Sequence, residues 1–274
     1  VTSTDILTQE DIAYVCELVK QAGSLAVQLR NGIEISWKTG PNDKVTTADI
    51  ALSKLLVSKV TERFPEDSVV SEEDASHGGT EQGGRLWLID PIDGTDNYIA
   101  NDGQYSVMIG LLVRLKPIFG WVFCPTDQMI YYGGPNYGAW KKHTDGEAVR
   151  IDCQRSLDLR SQARVVIGWR DRKSHPWISE LPQVKIIKTG SIGLKVAKIL
   201  ADEADLFIHL SGKLKTWDTA GPAAIALGGG LEVGALDSNE LSFPIDAVIH
   251  GGSVIMGCPG SIEWSRSHLV KAPT

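Results

Sequence analysis

Carboxylates at the ends of short apolar runs are the first residues in this chain that could do chemistry. Val69-Val70-Ser71 runs into Glu72-Glu73-Asp74, and Leu86-Trp87-Leu88-Ile89 runs into Asp90-Pro91-Ile92-Asp93-Gly94-Thr95. Asp90 follows four apolar residues, which predicts a place at the buried edge of a sheet, where an unpaired carboxylate is costly. Pro91 removes a ladder donor and ends the strand. Asp90 and Asp93 then converge on one turn, and two ionised carboxylates at that range repel unless a cation lies between them. Hard oxygen ligands suit Mg²⁺. Gly94 and Thr95 follow with free backbone N–H groups, a setting for a phosphate. Metal ions beside an anion cradle point to hydrolysis of a phosphate ester.

The bland alternative for Asp93-Gly94 is a tight turn with a local cap. Burial makes that alternative weak for Asp90. A further acid, Asp218 in Trp217-Asp218-Thr219-Ala220-Gly221-Pro222, opens a helix of small residues. It reads either as an N-cap or as a ligand brought close to another element by those small residues. Other motifs fail. Gly79–Gly84 has P-loop spacing but is followed by Arg85-Leu86, and Gly228-Gly229-Gly230 reads as a turn rather than a dinucleotide loop. A calcium loop begun at Asp90 or Asp93 meets Asn101 or Gln104 where Glu is required. No GxSxG or HExxH occurs, and the six histidines lack zinc-ligand spacing.

These residues need elements to hold them. Helical spacing over 9–30 and 49–64 predicts two amphipathic helices, the second stopped by Pro65. Apolar runs at Ser68–Val70, Leu86–Ile89, Tyr105–Val113, Pro117–Phe123 and Met129–Tyr132 predict strands of one sheet. The second half reads as a βαβ rhythm: strands at Arg164–Ile167 and Val184–Ile187, a helix at Ile192–Glu203 and a strand at Leu206–Leu210. A helix at Asp218–Leu227 and strands at Leu231–Ala235 and Val254–Met256 complete it. The hinge falls near 145–162, giving an N-terminal α+β lobe, 1–150, with the acidic motifs. The C-terminal α/β lobe, 151–274, carries Trp217-Asp218.

Composition narrows the function classes. The 274 residues carry Lys+Arg 27 against Asp+Glu 34, a net charge of −7, with 42% hydrophobic residues, as in an ordinary globular protein. An acidic balance argues against a nucleic-acid polymer as partner. No apolar run approaches membrane-spanning length. The opening Val1-Thr2-Ser3-Thr4-Asp5 is unlike a secretory leader, and four separated cysteines suit a reducing compartment; the expected location is cytoplasmic.

Trp87–Thr95, with Glu72-Glu73 upstream and Trp217-Asp218-Thr219-Ala220 downstream, resembles the lithium-sensitive, magnesium-dependent phosphatases of the inositol monophosphatase superfamily. The likeness runs from Lys38 to Gly230. It implies a layered α-β-α-β-α sandwich and an enzyme with two or three Mg²⁺ per site, inhibited by Li⁺. It implies metal ligands at Glu72, Asp90, the Ile92 carbonyl, Asp93 and Asp218. Val45–Asp49 is similar to the family segment whose aspartate lies near the attacking water, so Asp49 and Thr95, with Glu72, are the implied catalytic residues. Asp49's plain alternative is a helix N-cap.

Ser211 stands seven residues before Asp218, where inositol-specific members carry a glutamate. Ser211–Asp218, Arg172-Lys173-Ser174-His175 and Gly190–Lys195 are most similar to segments of 3′(2′),5′-bisphosphate nucleotidases. That branch implies a small phosphorylated substrate, adenosine 3′,5′-bisphosphate, cleaved at its 3′-phosphate. Its implied contacts are Gly94, Thr95, Ser174, His175, Lys195, Lys215 and Asp218, with Lys213 adding charge. An inositol monophosphate or a sugar bisphosphate remains the alternative substrate, and a homodimer remains an open assembly.

Overall fold

In the computed structural model, which describes residues 6–38, 40, 43–74, 84–244 and 248–270, two sheets alternate with layers of helices. The 79–83 part of the P-loop-like spacing lies outside the described residues. The first sheet has seven strands in simple chain order: β3 (Ser68–Ser71), β4 (Arg85–Asp93), β5 (Ser106–Val113), β6 (Lys116–Cys124), β7 (Met129–Gly134), β8 (Gly138–His143) and β9 (Val149–Ile151). β1 (Ile35–Trp37) and β2 (Lys44–Thr46) form a separate hairpin. Period-two alternation sends Trp87, Ile89, Val107, Ile109 and Leu111 to one face, and Leu86, Leu88, Met108 and Leu112 to the other.

Each face has its own helical cover. The Trp87 face lies under α1 (Gln9–Leu29) and α2 (Thr47–Arg63), which bring Val15, Val19, Ala22, Leu52 and Leu56 into one core. The Leu88 face lies under α5 (Ile192–Leu200) and α6 (Thr216–Gly228). Those two helices also cover the second sheet, which runs β11 (Val184–Ile187), β10 (Ala163–Ile167), β12 (Leu206–His209), β14 (Val254–Gly257), β13 (Glu232–Gly234). Its far face packs Val165, Ile208 and Ile255 against α7 (Ser261–Leu269) through Ile262 and Trp264. The layers are therefore α-β-α-β-α, the sandwich that the family resemblance implies.

α6 approaches the first sheet backbone to backbone. A Cβ on Gly110 of β5 would lie 2.5 Å from the Gly221 nitrogen and from Ala220 Cβ, and one on Gly120 of β6 would run into the Gly221 carbonyl. Only hydrogens at these positions allow that depth.

The predicted strands and long helices are present, with three physical differences. α2 starts at Thr47, two residues earlier than the apolar pattern, because Thr46 caps it. α6 starts at Thr216, so Asp218 is its third residue and not its cap. β1, β2, β8 and β9, and the helices α3 (Thr95–Ala100), α4 (Trp169–Ser174) and α7, carry little apolar periodicity and went unread. His175 ends α4 and precedes a 3₁₀ turn, Pro176–Glu180.

Candidate active site

Strand endings deliver the acids. β3 and β4 run parallel and pair from Ser68↔Leu86 to Ser71↔Ile89, after which Glu72 leaves β3, its amide bonded to the Ile89 carbonyl. β4 continues past that point. Pro91 therefore does not end β4, contrary to the expectation from sequence: the strand runs on to Asp93, because Pro91 lies beyond the end of β3, where no ladder bond is asked of it. On the other side the pairing slips between Asp90↔Met108 and Asp93↔Ser106, a bulge that turns both acids inward. Gly94 then adopts φ 94° and starts α3, a conformation that a side chain would strain.

Glu72, Asp90 and Asp218 offer oxygens that lie within 4.8 Å of one another. Asp90 is 2% exposed, and its Oδ1 has no hydrogen-bond partner. Burial first, and then repulsion from Glu72, Asp93 and Asp218, pushes the Asp90 carboxyl far above the ordinary range. Asp218 is pushed up to about 8 by burial and by the same neighbours, although its Oδ2 accepts the Lys215 amide at 2.8 Å. Crowded hard oxygens, one of them unpartnered, fit a divalent cation of the Mg²⁺ kind better than they fit one another.

Asp93 stands slightly apart. Its Oδ2 accepts from Ser191 Oγ and from the Ile192 and Gly193 amides at the start of α5. Burial still raises its carboxyl, against Lys195 and these bonds. The Ile92 carbonyl accepts from Thr95 Oγ1 at 3.3 Å.

Asp49 divides its two oxygens. Oδ2 closes a capping box with the Thr46 amide (2.8 Å) and hydroxyl (2.5 Å), so the acid is the third residue of α2 and Thr46 is the cap. Oδ1 faces Thr95 Oγ1 at 3.4 Å. Burial, aided by Glu72, raises the Asp49 carboxyl and makes its anion a stronger proton acceptor.

Two lysines flank the cluster. Lys38 donates to Glu72 at 3.0 Å and to Glu73 at 2.7 Å, and Lys215 lies 3.4 Å from Glu72. Burial opposes the charge of Lys38, but the two glutamates outweigh it and hold the ammonium above its usual range. Glu73 is pushed up to about 7 by burial, against that pairing. Lys195 is 7% exposed, with Nζ 5.1 Å from the centre of the Phe207 ring. Burial lowers its ammonium, opposed by Asp93, Asp218 and Asp171.

Of the residues nominated from sequence, the fold gathers Glu72, Asp90, Asp93, Asp218, Asp49, Thr95, Lys195 and Lys215 around one place. Ser174 is exposed at the end of α4, and His175 is held by its ring Nδ1, 3.1 Å from the Asp171 carbonyl. Lys213 is exposed. Lys38, Ser191, Asp171 and His209 were missed. For Lys38 a signal existed: two adjacent glutamates at a strand end call for a cation. The partnership of Asp171 with His209 spans 38 positions and leaves no local pattern.

Carboxylates from the ends of β3 and β4 meet one from α6, the helix between the two sheets, and this chain belongs to the inositol monophosphatase family, whose sequence profile matches residues 7–257. It is a phosphatase of that family, acting on small phosphorylated substrates. It is 28% identical over 250 residues to the 3′(2′),5′-bisphosphate nucleotidase CysQ of Salmonella typhimurium, covering 88% of this chain and 97% of the relative. It is also 28% identical over 239 residues to rat inositol monophosphatase 1, covering 81% and 82%. A solved IMPase/NADP phosphatase complexed with Mg²⁺ and phosphate superposes with a TM-score of 0.79 at 20% identity, over 96% of each chain, and shares the fold. Among the described residues no helix is long and apolar enough to cross a membrane.

Proposed function

We propose that this chain is a Mg²⁺-dependent phosphomonoesterase that removes the 3′-phosphate of adenosine 3′,5′-bisphosphate to give AMP. The observation that carries the reaction type is the buried Asp90 carboxylate, one oxygen of it unpartnered, grouped with Glu72 and Asp218. Glu72, Asp90, the Ile92 carbonyl, Asp93 and Asp218 would hold the ions. Bound there, Mg²⁺ supplies positive charge that makes a water acidic and neutralises the reacting phosphate.

The chain's own groups do the remaining work. Thr95 Oγ1 passes a proton from the attacking water to Asp49, whose anion is fixed by the α2 capping box and so needs no reorientation. Asp93, bonded through Oδ2 to the start of α5, ties the acid turn to the second lobe. In this reading lobes 1–150 and 151–274 each contribute to one site. Lys38 and Lys215 balance Glu72 from outside.

The substrate choice is supported by Lys195 and Lys215 beside the cluster and by Ser211, a hydroxyl rather than an acid seven positions before Asp218. A second phosphate needs its own donors, while an inositol ring would favour a carboxylate there. The CysQ relative acts as its name says and spans nearly the same length. The test is phosphate release with Mg²⁺ from adenosine 3′,5′-bisphosphate, inositol 1-phosphate and fructose 1,6-bisphosphate. The bisphosphate nucleotide is expected to give the highest kcat/KM. Preference for inositol 1-phosphate would move the chain to the other branch, and no release from any of the three would end the reading.

A further inference from the structure

β10 lies between β11 and β12 and is parallel to both; the chain crosses to β11 on one side and returns through α5 to β12 on the other. In open α/β sheets such a reversal opens a crevice beyond the carboxyl ends of the strands. At those ends two side chains pair. Asp171 comes from α4, just after β10, and His209 is the last residue of β12. His209 Nδ1 lies 2.8 Å from Asp171 Oδ2, with the two side chains 13% and 1% exposed.

The turn from β12 to α6 ends its donors on this pair. Asp171 Oδ1 accepts the Ser211 amide at 3.0 Å, and the Leu210 amide donates to the same carboxylate. His209 Nε2 accepts the Lys213 amide at 3.3 Å and lies 2.9 Å from Ser211 Oγ. Because a peptide N–H points at Nε2, that nitrogen carries no proton, and Nδ1–H donates to Asp171. Burial alone would raise Asp171, but His209 and the two amides outweigh it and hold the carboxyl below its usual range. The turn so fixed carries Ser211, Lys213 and Lys215, and Lys215 reaches Glu72 at 3.4 Å. It then enters the helix of Asp218.

We propose that Asp171 and His209 are positioning residues, which shape the 210–215 turn so that Ser211 and Lys213 meet the part of the substrate beyond its reacting phosphate. The proposal rests on the bisphosphate nucleotide reading. The groups around His209 are Asp171 from α4, Ser211 and Lys213 from the turn, His250, and Lys195 from α5 on the far side of Asp171.

Asp171→Asn and His209→Gln, with p-nitrophenyl phosphate as a substrate that lacks a second charged group, provide the test. Both variants are expected to raise KM for adenosine 3′,5′-bisphosphate by about 10-fold, the cost of a modest misplacement, with kcat held within about threefold. Kinetics on p-nitrophenyl phosphate and the Mg²⁺ titration stay as in the wild type. Equal losses on both substrates, or a loss that falls on kcat rather than on KM, overturn the proposal. If Asp171→Asn does not fold, as a lowered melting point would reveal, His209→Gln decides alone. A wild type that ignores the bisphosphate overturns only the substrate reading. The variants are then compared on inositol 1-phosphate and p-nitrophenyl phosphate under the same expectations.

Discussion

Replacing Asp218 by Asn should make the metal-free protein more stable while destroying its activity. The carboxyl is pushed from 3.8 to about 8 by burial and by Glu72 and Asp93. Between those values the folded chain holds a proton that the unfolded chain has released. Stability therefore falls as pH rises, by up to about 1.4 kcal/mol per pH unit, and levels off above the folded value. Summed to about pH 7.5, the ceiling is about 5 kcal/mol. Asp218 is only part-buried, and Lys38 and Lys215 screen Glu72, so about 2 kcal/mol is the expected gain for Asp218→Asn. Asn keeps an oxygen for the Lys215 amide, so the cap of α6 survives. Urea unfolding in chelator from about pH 5 to 8 should show the two proteins converging in acid and diverging toward alkali. Added Mg²⁺ should stabilise the wild type and much less the variant. A variant that is less stable at every pH, or a difference that does not change with pH, would refute the repulsion argument.

Asp90→Asn deletes the charge of a buried acid with an unpartnered oxygen and should cost at least about 10²-fold in kcat with the melting point kept or raised; near wild-type kcat with unchanged Mg²⁺ dependence would remove Asp90 from the site. Phosphate release should stop in chelator and return with Mg²⁺, and millimolar Li⁺ should inhibit; full activity in chelator, or a phosphorylated side chain found by mass spectrometry, would exclude the reaction as described. Lys195→Ala should cost adenosine 3′,5′-bisphosphate about 1.5–3 kcal/mol in kcat/KM and a monophosphate much less. Equal losses would assign Lys195 to the shared carboxylate cluster, where its buried position beside Asp93 and Asp218 also allows it to act.

How far the sequence led depended on where the physical signal was local. Asp90 was legible because four apolar residues precede it, and the layered fold because β4 to β7 and β10 to β12 carry dense apolar runs. β1 was not, because all three of its residues are exposed, and β8 was not, because its second half turns outward with Lys141, Lys142 and His143. Asp49 reads as a cap when only Ile50 onward is considered; its place as third residue follows from Thr46, three positions back. Lys38 meets Glu72 across 34 positions and Asp171 meets His209 across 38, so these contacts exist only once the chain is folded.

The depth at which α6 seats on the first sheet has a consequence for which cation the protein accepts. Gly110 lies on β5, two residues from the partner of Asp90, and Gly221 lies three residues after Asp218. Bare backbone at both positions works as a gauge block: the gap between the two acids is set by van der Waals radii rather than by rotamers that could adjust. A methyl group at residue 110 would be a shim, lifting the helix and Asp218 away from Asp90. Mg²⁺ asks for oxygens at about 2.0–2.1 Å and tolerates little deviation, whereas Ca²⁺ settles at about 2.3–2.6 Å. On the proposed Mg²⁺ reading, the fit for the smaller ion would be set partly by a residue that has no functional group at all.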